Sequence, residues 1–210
     1  DFTINALLLD PESAAAPDPE KGVLDWVGGV ADLRAGVIRA IGLPEARFQE
    51  DHLRMLRAIR FAARLSFTIE EQTMTAIRNL RALIGRVSPE RIRDELVRIL
   101  TEGGARRGLE MLDQSGLLEQ VLPEVAAMKG VQQPPQFHPE GDVWTHTLIM
   151  LEQMRSATPT LAWGILLHDV GKPSTFRMAD RIRFDGHVEA GEELARSILG
   201  RLRVSNEETD

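Results

Sequence analysis

The sequence predicts a mainly α-helical protein with a small α+β piece at its N-terminus, and three observations lead to this prediction. Before residue 44, short apolar runs alternate with glycine and proline, as is typical of strands and turns. From Pro44 onward, apolar residues recur at the three- and four-residue spacing of helices. Capping residues mark helix ends, most clearly Ser88-Pro89-Glu90, where a serine precedes a proline at the first helical position.

The first 43 residues contain the predicted strands. Residues 2–9 form an apolar run that fits a strand or a buried helix, and Asp10-Pro11 opens a polar loop after it. Residues 23–27 and 37–41 are predicted strands. Gly28-Gly29, which ends the first of these, fits either a turn or a hinge.

Helices follow, with Thr68 as the expected cap of the second because Glu71 stands three residues later. The predicted helices span residues 50–65, 68–83, 88–100, 105–114, 143–154, 161–168 and 190–202. Pro134-Pro135 marks a linker between them. The change of pattern near residue 44 and this linker divide the chain into three predicted segments, residues 1–43, 44–134 and 135–210.

Composition limits the class of protein. The 210 residues contain no cysteine, which excludes disulfides and cysteine-ligated zinc, and no apolar run approaches the roughly 20 residues of a membrane helix. A net charge of −7 argues against nucleic-acid binding, but arginines cluster between residues 54 and 107 and allow a local basic surface. The chain starts at Asp1 without methionine and stops in a polar run, so we expect both ends to be truncations of a longer protein.

One predicted helix combines an apolar face with a row of arginines. At about 100° per residue, Met55, Leu56 and Ile59 share one face, while the arginines lie on the opposite arc. These arginines are Arg54, Arg57, Arg60 and Arg64. Asp51 precedes Arg54 by three residues, so the two side chains are expected to lie side by side.

A carboxylate beside a guanidinium can distinguish nucleobases. The carboxylate of Asp51 accepts hydrogen bonds and the guanidinium of Arg54 donates them. Cytosine and adenine present an amine next to a ring nitrogen acceptor, which complements this pair, whereas uracil and guanine present the reverse order. An alternative remains open, because such pairs are common on solvated helix surfaces without any function.

Four segments within the first hundred residues match motifs of one family. Residues 1–6 (DFTINA) match the end of its RRDFTINA motif, and residues 91–95 (RIRDE) match RxxxE. Residues 50–57 (EDHLRMLR) match EDxxRxxR. A segment of the form D…GG..DL matches at Asp25, Gly28, Gly29, Asp32 and Leu33. The chain therefore resembles the class II tRNA nucleotidyltransferases and poly(A) polymerases.

This resemblance implies specific roles. Asp51 and Arg54 would form the template for incoming CTP and ATP, with Arg57 supporting the nucleotide, Asp1 recognising the ribose and Asn5 near the triphosphate. The family's catalytic DxD pair, which holds Mg²⁺ during transfer, has no counterpart in these 210 residues. We therefore expect the 210-residue piece alone not to add nucleotides.

Histidines and an aspartate form a second candidate site. His146 lies on a predicted helix, His168-Asp169 ends another before Gly171-Lys172, and His187 opens the next helix. Imidazole and carboxylate together suit divalent transition metals or Mg²⁺. For any single histidine the alternative is a partly buried, hydrogen-bonded helix residue. His138 is interpreted as a structural or rim residue and His52 as a surface residue.

The HDVGKP and VWTHTL segments resemble the HD superfamily of metal-dependent phosphohydrolases, whose pattern is H…HD…D. The resemblance implies that His146, His168, Asp169 and His187 hold Ni²⁺, Mn²⁺ or Mg²⁺, with Lys172 meeting a phosphate. The last family aspartate would fall after Asp210, so we expect an incomplete HD domain. Phosphatase, 2′-nucleotidase and 2′,3′-cyclic phosphodiesterase activities are the ones implied.

The predicted architecture is thus the end of a nucleotidyltransferase head (1–43), a helical neck and RNA-binding body (44–134) and the start of an HD domain (135–210). Arg91, Arg106 and Arg107 are the candidate tRNA-backbone contacts, with a solvated helix start as the alternative for the last two. The expected partners are tRNA, CTP and ATP, in the cytoplasm and without a membrane. Two alternatives remain, a hydrolase whose only chemistry is at the HD site and an RNA-binding module without catalysis.

Overall fold

The computed structural model describes residues 1–9 and 22–205 and is mostly helical, as predicted. The loop predicted from Asp10-Pro11 lies outside these residues. The helices, numbered in chain order, are α1 (Gly29–Ala35), α2 (Pro44–Glu50), α3 (Arg54–Leu65), α4 (Glu71–Leu80), α5 (Pro89–Thr101), α6 (Ala105–Ser115), α7 (Leu117–Val121), α8 (Pro123–Ala126), α9 (Val143–Gln153), α10 (Pro159–Leu167), α11 (Lys172–Thr175) and α12 (His187–Arg201).

The strands form short two-stranded sheets. Strand β1 (Leu8–Leu9) pairs antiparallel with β2 (Val23–Leu24), and β3 (Val37–Ile38) pairs parallel with β4 (Thr68–Ile69). A hairpin of β5 (Arg177–Met178) and β6 (Ile182–Arg183) lies late in the chain. The predicted strands at 23–27 and 37–41 are therefore present but shorter.

The glycine pair after β2 begins a helix, α1, that the sequence analysis did not predict. Asp25 caps this helix, because its carboxylate accepts from the amides of Gly29 at 2.9 Å and Val30 at 3.0 Å. Gly28 adopts a positive φ of 80°, and a Cβ on Gly29 would lie 2.3 Å from the Thr3 carbonyl oxygen. Gly28 thus allows the turn, and Gly29 allows the close approach of the Thr3 backbone.

The helix predicted over residues 50–65 starts later than expected, at Arg54, because Glu50 ends α2 and residues 51–53 separate it from α3. Asp51 is extended, with φ −151° and ψ 106°, and its Oδ1 accepts from the Leu53 amide at 3.1 Å. This local side-chain bond offers the backbone an alternative to the helix. The break places Asp51 at the entrance to α3 rather than on its face.

The cap expected at Thr68 was also wrong. Thr68 lies in β4, and α4 starts after Glu70, whose Oε2 accepts from the Thr73 amide at 2.8 Å. A carboxylate can replace a hydroxyl as the cap because it too accepts from the free amides of a first turn. The Ser88-Pro89 start is confirmed, since α5 begins at Pro89.

The buried apolar residues form one continuous cluster that runs from Phe2 to Val204. Helix α3 lies within it and packs against both α5 and α6. Phe2 is fully buried and forms an isolated antiparallel β-bridge with Ala40. Its ring packs edge-on against that of Phe61 on α3, with the ring centres 6.0 Å apart. Packing against α3 therefore holds the first residues of the chain in place.

Arg60 departs from the predicted row of surface arginines. It is only 5% exposed, and its Nε donates to Glu95 Oε2 at 2.7 Å, with Glu95 4% exposed. Its guanidinium also lies 4.3 Å from the Phe61 ring centre. Arg60 therefore ties α3 to α5 inside the protein, because a buried charge requires an opposite charge and hydrogen bonds. Among the helices of residues 1–9 and 22–205, none has the length and apolar character to cross a membrane.

Candidate nucleotide and metal sites

Asp1, Arg54 and Arg57 meet in one cluster, which we call the Asp1 cluster. Arg54 Nε donates to Asp1 Oδ1 at 3.0 Å, and Arg57 forms an ion pair with the other oxygen of Asp1. Arg54 Nη1 also donates to Glu50 at 2.6 Å. The structure thus brings together three residues that the motif resemblance assigned to nucleotide binding, and it adds Glu50, whose pairing with Arg54 the sequence analysis missed.

Asp51 lies at the start of α3 but pairs with a different arginine from the one expected. Its Oδ2 accepts from Arg91 Nη2 on α5 at 2.8 Å, and no described hydrogen bond or ion pair joins the side chains of Asp51 and Arg54. Burial alone would raise the pKa of Asp51, but the bonds from Arg91 and the Leu53 amide, together with the charge of Arg54, lower it. Asp51 is therefore ionised and acts as an acceptor.

Both candidate template groups remain accessible. The side chains of Asp51 and Arg54 are 32% and 21% exposed, so neither is locked in the core. The described hydrogen bonds of Arg54 involve Nε and Nη1, which leaves Nη2 as an available donor. Each carboxylate oxygen of Asp51 accepts one described bond and can accept a second. The two groups can therefore offer a donor and an acceptor to a base, although they do not hold each other in position.

Arg57 and Asn5 differ in their surroundings. Arg57 is partly buried, its Nε has no hydrogen-bond partner among the described residues, and burial lowers its pKa. Asn5 is exposed after a short 3₁₀ turn, Thr3–Asn5, and no described side-chain contact joins it to the Asp1 cluster. The Nε of Arg57 is thus a buried donor that no described residue satisfies.

The three arginines proposed for tRNA contact are already engaged within the chain. Arg91 pairs with Asp51, and Arg106 pairs with Glu110 at 3.0 Å and Glu152 at 2.7 Å. Arg107 Nη2 donates to the Phe67 carbonyl at 2.9 Å. Arg106 and Arg107 line a groove of about 420 Å³ between the start of α6 and the end of α9. Since Glu110 and Glu152 line the same groove, its charge is balanced and it is not strongly basic.

His146, His168 and Asp169 come together at a possible metal centre. One ligand atom from each lies within 4.8 Å of the others, although they belong to α9 and to the turn after α10. His168 Nε2 lies 3.1 Å from Asp169 Oδ2. Burial alone would raise the pKa of Asp169, but hydrogen bonds from His168 and Lys172 hold it well below the usual range. Two imidazoles and one carboxylate are suitable ligands for a divalent cation.

The histidine rings are oriented by partners at Nδ1. His168 Nδ1 lies 2.7 Å from the Ile165 carbonyl oxygen, His187 Nδ1 lies 2.8 Å from that of Phe184, and His146 Nδ1 lies 2.6 Å from Glu140. Because these oxygens can only accept, each Nδ1 carries a proton. Nε2 is then the ligand atom of a neutral imidazole, and on His168 this nitrogen must first give up the proton that it shares with Asp169. This arrangement is the one that metal-ligating histidines usually have.

His187 is not part of this three-residue set, whose ligand atoms lie within 4.8 Å of one another, but the fold brings its helix close. A Cβ on Gly171 would lie 2.2 Å from the His187 carbonyl oxygen and 2.5 Å from the amide nitrogen of Gly191. Only glycine allows this approach of α12 to the turn that carries His168 and Asp169. Close packing against α12 therefore explains why a glycine occupies position 171 in the HDVGKP segment.

Lys172 is not placed as a surface contact for phosphate. It is only 7% exposed, and its Nζ donates to Asp169 at 2.7 Å and to Gln133 Oε1 at 2.6 Å. In this position the ammonium group of Lys172 compensates the negative charge of Asp169. The imidazole of His168 contacts the same carboxylate. Gln133, which is 3% exposed, was missed because it lies 39 residues away in the sequence.

Glu140 is another residue that the sequence analysis missed. Its Oε1 lies 3.0 Å from His138 Nδ1 and 2.6 Å from His146 Nδ1. The pKa of Glu140 is lowered to about 2 by its own backbone amide and then by His138 and His146. His138, interpreted as structural or rim, therefore lies beside the metal set, with its ring 4.8 Å from that of His146.

Two family models match separate parts of the chain. The one described as "Probable RNA and SrmB- binding site of polymerase A" matches residues 66–129, and the HD domain matches residues 143–209. The chain is 39% identical over 212 residues to the multifunctional CCA protein of Halorhodospira halophila, covering 97% of this chain and 48% of that protein. It is 39% identical over 216 residues to the A-adding tRNA nucleotidyltransferase of Deinococcus radiodurans, with coverages of 97% and 47%.

The fold is shared with a solved enzyme. The structure of the Bacillus stearothermophilus CCA-adding enzyme in complex with CTP matches with a TM-score of 0.64 at 24% identity, covering 100% of this chain and 42% of that one. The chain spans about half the length of the curated relatives it matches. Family models and relatives therefore agree that the chain contains the RNA-binding region of a polymerase of the poly(A) type followed by an HD domain, and that it is similar to tRNA nucleotidyltransferases over about half of their length.

Proposed function

We propose that this chain is the nucleotide-selecting and RNA-binding part of a tRNA nucleotidyltransferase that adds CCA to tRNA 3′ ends from CTP and ATP. The accessible Asp51 and Arg54 at the start of α3 carry the proposal, because an acceptor and a donor there complement cytosine and adenine but not uracil or guanine. Arg57, Asp1 and Asn5 would contact the rest of the nucleotide. Mg²⁺ would serve the transfer step, in the cytoplasm, where tRNA, CTP and ATP are found.

A protein that adds only A, like the Deinococcus relative, is a second candidate. One Asp–Arg pair can read both C and A, so these two residues do not separate the candidates. The described contacts of Arg91, Arg106 and Arg107 are all internal. Binding of the tRNA backbone would replace the ion pairs of Arg91 and Arg106 and the hydrogen bond of Arg107 with contacts to phosphate.

Removing the template acceptor tests this proposal. In the full-length protein, Asp51→Ala should reduce the preference for C and A over U and G by about 10- to 100-fold, because one or two charge-assisted hydrogen bonds of roughly 1.5–3 kcal/mol are lost. Single-turnover incorporation of each nucleoside triphosphate measures this preference. Arg54→Ala should have a similar effect.

Arg91→Ala is the matched control, since it breaks the same ion pair but leaves Asp51 in place. It should retain the nucleotide preference. If Asp51→Ala and Arg91→Ala change the preference equally, Asp51 acts only through the ion pair and the template assignment is wrong.

We further propose that His146, His168 and Asp169 hold a divalent ion, Ni²⁺, Mn²⁺ or Mg²⁺, with His187 as an additional ligand from α12. Such an ion would supply Lewis-acid and water-activating chemistry. The chain's residues would hold the imidazoles in the correct tautomer through the Ile165 and Phe184 carbonyls and through Glu140. Phosphomonoesters and 2′,3′-cyclic phosphates are the proposed substrates of this HD site.

Glu140 is a positioning residue in this proposal. Glu140→Ala should weaken Mn²⁺ or Ni²⁺ binding by about 10- to 100-fold, because the partner that fixes the His146 ring is lost. Calorimetric titration measures the affinity, and nitrogen NMR of the imidazole reports whether His146 keeps its proton on Nδ1. Glu119→Ala, an exposed acid on α7, removes the same charge and should change neither. Unchanged affinity in Glu140→Ala would assign Glu140 to loop structure alone.

A further inference from the structure

A cavity of about 610 Å³ opens beside His187, between the loop that carries Phe137 and the hairpin of β5 and β6. Its lining residues come from three places, the loop after the Pro134-Pro135 linker, strand β6 and the turn before α12. They include Phe137, Arg181, Arg183, Phe184 and His187. Since His187 belongs to the proposed HD site, a molecule in this cavity would lie next to that site.

Two aromatic rings line the cavity, and they differ in exposure. Phe184 is half-buried and supported on several sides, with the rings of Phe176 and His187 at 6.0 and 6.4 Å and Lys172 Nζ at 5.4 Å. Phe137 is 75% exposed. An exposed phenyl ring beside a cavity offers a flat apolar surface whose burial against another flat ring is favourable. Phe137 therefore fits a ligand with an aromatic ring system.

The hairpin adds positive charge. Arg177 and Arg183 are direct cross-strand partners, an unfavourable pairing of like charges that an anion would relieve. Arg183 has Asp180 as an ion-pair partner at 2.9 Å, whereas no ion pair is described for Arg181, which is exposed and lines the cavity. Guanidinium groups bind phosphate oxygens in a bidentate manner. Only Asp185 contributes a negative charge to the lining.

We propose that this cavity binds a nucleotide, with its base stacked on Phe137 and its phosphate held by Arg181 and Arg183, as the substrate-recognition site of the HD centre. The assignment rests on the proposed phosphohydrolase function. A ligand that combines a flat ring with a phosphate satisfies both the exposed phenyl surface and the arginines, and stacking on an aromatic side chain tolerates any base. The nucleotide is either free or the terminal residue of an RNA.

The test is binding of adenosine 2′-monophosphate to the 210-residue chain by equilibrium dialysis without metal. Phe137→Ala should weaken this binding about tenfold, because one stacked base is lost. The same variant should leave binding of ribose 5-phosphate, which has no base, unchanged. Arg181→Ala should weaken binding of both compounds. Trp26→Ala is the matched control, since Trp26 is 73% exposed and lies far along the chain, in the segment before α1.

The outcomes separate the cavity from the HD chemistry. If Phe137→Ala binds adenosine 2′-monophosphate as tightly as the unchanged chain does, the cavity is not a base-binding site. Hydrolysis with Mn²⁺ is measured separately in the full-length protein, where His168→Ala should abolish hydrolysis while leaving metal-free binding intact. Binding without any hydrolysis would overturn the phosphohydrolase proposal but keep the nucleotide site. Tighter binding of an RNA oligonucleotide with a terminal phosphate than of the mononucleotide identifies an RNA end as the source, and equal binding identifies the free nucleotide.

Discussion

Asp169→Ala is expected to abolish divalent-metal binding and to lower the free energy of unfolding by about 3–5 kcal/mol. Asp169 is 5% exposed and lies between His168 Nε2 and Lys172 Nζ. Without it, the buried Lys172 ammonium keeps only the neutral amide of Gln133 as a partner. The loss of metal affinity should exceed the roughly 10- to 100-fold that removal of a supporting residue causes. Calorimetric metal titration and urea unfolding measure the two effects.

A double replacement separates metal ligation from charge compensation. In Asp169→Ala/Lys172→Met the uncompensated cation is gone, so much of the stability should return, while metal binding should remain absent. Asp185→Ala, which removes an exposed carboxylate nearby, should leave stability within about 0.5 kcal/mol of the original. Metal binding by Asp169→Ala at the original affinity would exclude Asp169 as a ligand.

Glu95→Ala is expected to lower the free energy of unfolding by about 3–5 kcal/mol, because it leaves the buried Arg60 with only its longer ion pair to the partly exposed Glu102. Since α3 carries Arg54 and Arg57 as well as Arg60, loosening its contact with α5 should also weaken nucleotide binding. Urea unfolding followed by circular dichroism measures the stability.

Glu102→Ala provides the contrast on the same arginine. Glu102 lies 3.4 Å from Arg60 Nη1 but its side chain is 30% exposed, so its removal should cost less than about 1 kcal/mol. Arg60→Met/Glu95→Leu, which removes both buried charges, should recover most of the loss. Equal effects of Glu95→Ala and Glu102→Ala would show that burial does not govern this ion pair.

Local sequence patterns located some of the helices closely and missed others. Capping and periodicity located α5 and α9 closely, because both signals depend on residues within a few positions of each other. The break at Asp51 was missed, since a helical period continues through it and only a side-chain bond to the Leu53 amide ends it. Helix α1 was missed because Gly28-Gly29 has the composition of a turn.

The candidate sites show the same division. His146, His168 and Asp169 were identified from motifs and meet in space as expected. Trp26, in contrast, is 73% exposed, whereas Trp144 and Trp163 are only 9% and 4% exposed. Apolar character alone does not decide burial, because folded surfaces retain many apolar groups.

The sequence by itself determined the helical class and the residue types of both candidate sites, because these depend on periodicity and on short motifs. Tertiary structure alone decided which polar side chains meet. Asp51 pairs with Arg91, 40 residues away, and Lys172 with Gln133, 39 residues away. The physical reason is that a charged group finds its partner through the packing of whole helices, and sequence spacing records only neighbours on the same helix.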